Sequence, residues 1–102
     1  MKTNVAIEAS KQRVLAWGEF LLATFSKLGI SNNKVIKNSH IGRSTFYRMK
    51  KGAQINADAY IRISRYARMK VQERETQGMI AAGYAMKWKA ELMDLVFDSD
   101  KL

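Results

Sequence analysis

The run Arg43-Ser44-Thr45-Phe46-Tyr47-Arg48-Met49-Lys50-Lys51 is where side chains able to recognise another molecule crowd most closely. Guanidinium and hydroxyl groups can address base edges, and ammonium groups can neutralise phosphates, so the chemistry on offer is recognition. Catalysis has little to work with. The chain has no Cys, His40 is its single imidazole, and its carboxylates are dispersed. That leaves no thiolate nucleophile and poor material for a catalytic or metal centre, so neither an enzyme nor a cofactor is expected. His40 has no partner in sequence and reads as a turn residue.

Charge sharpens the expectation. The 102 residues hold 18 Lys+Arg against 9 Asp+Glu, a net +9. Between Lys27 and Arg74, twelve basic residues face only Asp58 and Glu73, while Glu91, Asp94, Asp98 and Asp100 make the tail acidic. A chain basic only in its middle implies a binding face for an anionic partner, nucleic acid or membrane surface. No apolar run is long enough to span a bilayer, and Met1-Lys2-Thr3-Asn4 leads into mixed residues, not a signal-peptide core. The cysteine-free composition fits a reducing cytoplasm, and the expected location is there, on the nucleoid.

Helices must position these side chains. Val14, Gly18, Leu21, Phe25 and Leu28 recur in three- and four-residue steps, with Trp17, Phe20 and Leu22 widening the stripe. Gly29 sits where a left-handed cap is wanted, and Ser31 can cap a short helix over about 32–38. Turn formers at 38–42 precede a second short helix, Arg43 to Lys51, with Phe46 and Met49 inward and Gly52 at its end. Asn56 caps a fourth helix with inner face Ala57, Tyr60, Ile61, Ser64 and Ala67. Helical composition continues from Val71 to about Phe97, where Gly78 and Gly83 are candidate breaks and one helix or two are both open. The expected fold is all-α: one compact domain over 1–102, about five helices, a central helix-turn-helix at 31–52 and long helices at both ends.

Residues Ser31 to Gly52, with Val35, Ile41, Ser44, Thr45 and Phe46 between them, resemble the lambda-repressor-like (Cro/CI/Xre-type) helix-turn-helix family without a gap. The likeness is close over about a quarter of the chain. It implies that Asn32 holds a phosphate, that Arg43, Ser44 and Thr45 face bases, and that Lys51 lies near the DNA backbone. His40 stands where the family carries a turn Gly, often at positive φ, and Ile36 replaces a small Ala, implying a wider helix crossing. Lys50 stands where many members have Glu.

Around that frame Arg48 joins the base-contact set and Tyr47 the phosphate set, each able to serve either way. Lys34, Lys37, Lys50 and Lys51 are phosphate candidates, with solvated surface lysines as the plain alternative. Ser44 and Thr45 could equally be first-turn caps. Arg62, Arg65 and Arg68 read as a solvated stripe behind the reader.

Past Val71 two apolar stripes run side by side: Met79, Ala82, Met86, Ala90, Met93 and Phe97, and then Ile80, Tyr84, Trp88 and Leu92. One stripe suffices for a core, so 71–97 is expected to dimerise through Met79, Ala82, Met86, Trp88, Met93 and Phe97; packing of the two terminal helices on each other is the alternative. The expectation is a homodimeric, sequence-specific double-stranded-DNA regulator, a repressor or autorepressor of phage, plasmid or operon type, with a protein partner possible and no membrane role. The alternatives are an architectural or recombination accessory, or an RNA or protein interaction module.

Overall fold

Local signals set the helix ends. In the computed structural model, which describes residues 2–99 and the side chains of 15–96, the order is α1 (Lys2–Leu28), α2 (Asn32–Ser39), α3 (Arg43–Lys50), α4 (Ala57–Thr76) and α5 (Ala82–Ser99). No strand occurs among the described residues, and the fold is all-α. Gly29 ends α1 at φ 69°, a conformation that costs a residue without Cβ little, and Ile30 N–H closes the cap on the Phe25 carbonyl at 2.9 Å. Ser31 Oγ accepts from Lys34 N–H, and Asn56 Oδ1 accepts from Ala59 N–H at 2.7 Å, so two orphan donors are satisfied within their own turns.

The two candidate breaks behave differently. Gly78 takes φ 75° in the turn at 77–81, whereas Gly83 lies inside α5. The expected 71–97 region is therefore divided: Val71 to Thr76 complete α4, and the chain reverses before α5 runs back along it.

Burial explains the arrangement. Leu21, Phe25 and Leu28 of α1 meet Val35, Phe46 and Met49 of the short helices and Tyr60, Ile63 and Val71 of α4 in one apolar cluster, which Ala85, Trp88, Leu92 and Leu95 of α5 extend. Removing such side chains from water is the main stabilising contribution. Val14, at the head of the expected α1 stripe, has its side chain outside the described set. Gly18 is buried where α1 crosses α3; a Cβ there would stand 3.3 Å from Met49 Cγ, so its missing side chain sets how closely the helices approach. The Trp17 ring meets Tyr60 edge-on at 5.4 Å, and Phe25 stacks on Tyr66 at 5.8 Å. Burial pushes the Tyr60 hydroxyl above its ordinary range, and the hydrogen bond that it accepts from Ile55 N–H pulls the other way.

Trp88 corrects one expectation. It is only 7% exposed, and its Nε1–H donates to Thr24 Oγ1 at 3.2 Å, while the Thr24 hydroxyl donates to the Phe20 carbonyl at 2.8 Å. The indole thus satisfies its one polar group inside the core and is not available to a second chain. No helix among the described residues is long and apolar enough to cross a membrane.

Candidate nucleic-acid interface

Holding a short helix rigid requires that one face be fully engaged. On α3, Phe46 and Met49 are buried, and the helix leans on α1 through Met49 and Gly18. At 100° per residue this turns Ser44, Tyr47, Arg48 and Lys51 most directly outward, with Arg43 at the edge nearest α2. The first four are exposed, as is Arg43; Thr45 is half-buried.

The turn ahead of α3 is strained in one place. His40 has φ 55° and ψ 46°, the left-handed conformation implied by its place at the motif's usual glycine, and its N–H returns to the Ile36 carbonyl. Its own carbonyl accepts from Arg62 Nη1 at 2.9 Å, while Arg62 Nε lies 2.8 Å from Asp58 Oδ2. Asn38 Nδ2 adds a second tie to α4, donating to the Tyr66 hydroxyl at 3.2 Å. The turn is thereby fastened to α4 from two sides. Ile36, at the expected wider crossing, is half-buried against the core.

The base-contact candidates separate. Arg43 donates through Nη1 to Asn33 Oδ1 at 3.2 Å, a link between the starts of α2 and α3. Arg48 instead bends to the following loop, its Nη2 donating to the Gln54 carbonyl at 3.1 Å. Thr45 borders a depression of about 160 Å³ shared with His40, Asn56 and Arg62. Neither Ser44 nor Thr45 caps α3: Gly42 holds the N-cap position without a side-chain bond.

Among the phosphate candidates, Asn32, Lys34, Lys37, Tyr47, Lys50 and Lys51 are all exposed. The Lys50 ammonium sits 5.9 Å from the centre of the Tyr47 ring, which meets Phe46 edge-on at 5.7 Å, so tyrosine and lysine present one amphipathic unit. No Asp or Glu occurs between Glu19 and Asp58, and the whole α2–turn–α3 surface is free of carboxylates of its own.

The supposed solvated stripe on α4 divides as well. Arg62 fastens the turn; Arg68 is partly buried with Nη1 3.9 Å from Met93 Sδ; Arg65 is exposed. Arg74 donates to the Leu28 carbonyl at 2.8 Å and so ties α4 to the end of α1. Asn33, Asn38, Arg62 and Arg74 are the working residues that sequence reasoning missed. Their partners are backbone carbonyls or side chains brought near only by folding, and the helical spacing of Arg62 was the single available hint.

Of the expected dimer residues, Met79, Ala82 and Met86 are exposed and Met93 is half-buried; Trp88 is internal and the Phe97 side chain lies outside the described set. In class, then, this is an all-α bundle carrying a helix-turn-helix with a basic outer surface. Comparison of the chain with protein-family models, with curated proteins and with solved structures returns no match in any of the three.

Proposed function

We propose that the chain is a sequence-specific double-stranded-DNA-binding regulator that acts as a homodimer. The observation that carries this reading is the carboxylate-free basic face on α2 and α3, built on a short helix whose opposite side is locked into the core. A helix so held fits a major groove about 12 Å wide, with Arg43, Ser44 and Arg48 nearest base edges and the flanking lysines on phosphates. The Arg43–Asn33 bond limits the orientations of the guanidinium before DNA arrives, which lowers the ordering cost of a directed contact. Occupancy of a site overlapping a promoter would block polymerase; repression of its own promoter is the simplest case. The chemistry requires neither enzyme activity nor a cofactor, and a cytoplasmic, nucleoid location follows from the reading.

Random-site selection on duplex DNA at two salt concentrations tests it. The expected result is a recurrent pair of half-sites, and Arg43→Ala should relax preference at one position of each by about 1–3 kcal/mol. If the selected pool shows no consensus while affinity simply tracks salt, the protein is a general basic binder and the proposal is wrong.

A further inference from the structure

α5 has two working faces. Ala85, Trp88, Leu92 and Leu95 are buried against the rest of the bundle. On the other side Met86 is 70% exposed, and Met79, just before the helix, is 63% exposed. Ala82, Gly83 and Ala90 interrupt the methionines with small side chains, and no atom outside its own helix stands within 4 Å of a Cβ placed on Gly83. An open groove of about 600 Å³ runs beside this face, with Met69 and Arg65 of α4 on its far wall and Met86, Ala90 and Met93 on the near one. Monomeric proteins seldom leave such an apolar strip bare, and methionine adapts well to a surface that must repack.

The charges along its edge choose an occupant. Lys87 and Asp94 are exposed, and among the described residues neither joins an ion pair or hydrogen bond within the chain. Seven residues apart, they lie on the same edge of the helix. A second α5 running antiparallel, with its two-fold axis at Ala90, brings Lys87 of each copy opposite Asp94 of the other, offset by about one residue's rise of 1.5 Å. Parallel pairing would put the two copies of this edge on opposite sides of the seam, where Lys87 and Asp94 do not meet. Small Ala90 at the axis allows close approach.

We infer that the outward face of α5 is an antiparallel self-association seam in which Lys87 and Asp94 pair reciprocally across the two-fold axis. The inference rests on the dimeric reading above and specifies its geometry.

Light scattering on the full chain at micromolar concentration, beside duplex-DNA binding, tests the seam. The wild type should have the mass of a dimer, and Met86→Glu that of a folded monomer with unchanged helical content, since Met86 is 70% exposed in its own chain; its unfolding midpoint should no longer rise with protein concentration. Lys87→Asp and Asp94→Lys should each weaken the dimer roughly tenfold by creating like-charge contacts twice per dimer, and the two together should restore it to within about twofold. A monomeric wild type, or a dimer indifferent to Met86→Glu, overturns the seam. A double variant as weak as either single variant overturns the antiparallel register. A monomer that still selects a DNA site removes the seam alone, whereas a dimer without site selection removes the DNA reading alone.

Discussion

The lysines around α2 and α3 and the arginines of α4 are alike in charge but unlike in employment. Lys34, Lys37, Lys50 and Lys51 are exposed, and the Lys50 ammonium lies 5.9 Å from the centre of the Tyr47 ring. On α4, Arg62 and Arg74 each spend a guanidinium on a backbone carbonyl of another segment, His40 and Leu28 respectively. Arginine suits that second task because its planar fork bonds a carbonyl while its stem packs on apolar surface, whereas lysine stays a hydrated point charge. A central charge excess is therefore a mixture. Part of it stays exposed to solvent, and part ties segments of the fold together.

Three variants can break or sharpen that contrast. The largest effect is expected from Lys34→Ala combined with Lys37→Ala: the slope of log affinity against log salt for duplex DNA should fall by about 1.8, with thermal stability unchanged. A retained slope would place these lysines away from phosphate. Arg74→Met should do the reverse, lowering stability by about 1.5–2 kcal/mol in chemical denaturation through the lost bond to Leu28, while leaving the salt slope alone. If its slope fell instead, α4 would belong to the binding surface. The smallest effect belongs to the turn between the two regions. His40→Gly should raise the unfolding free energy by roughly 0.5 kcal/mol by relieving the left-handed backbone, net of glycine's greater entropy in the unfolded chain. Destabilisation there would mean that the imidazole itself contributes a contact.

Much of the frame was legible because its causes are local. Gly29, Ser31 and Asn56 act within a turn of where they stand, and the inward placement of Val35, Phe46 and Met49 follows from helical spacing. The division between α4 and α5 was not legible in this way. Gly78 and Gly83 carry the same propensity cost, and only the demand that α5 reverse and pack on α4 selects Gly78 as the break. Trp88 was misassigned for a related reason: adjacent stripes on one helix differ by a 100° rotation, and the Thr24 hydroxyl that settles the matter lies 64 residues away. Arg48 reads in the sequence as a base contact and Arg62 as a solvated residue, because the carbonyls that they bond have no signature in side-chain type. The separation of Arg43 from Arg48 follows from that same fact.

The bond between Trp88 and Thr24 also bears on when a newly made chain becomes competent. It joins the last helix to the first, so it cannot form until α5 has left the ribosome. Until then α4 has one flank bare, and α3, which leans on α1, belongs to an incomplete bundle. The packing that holds α3 is thus complete only after α5 has emerged, and a product truncated before α5 would leave one flank of α4 uncovered.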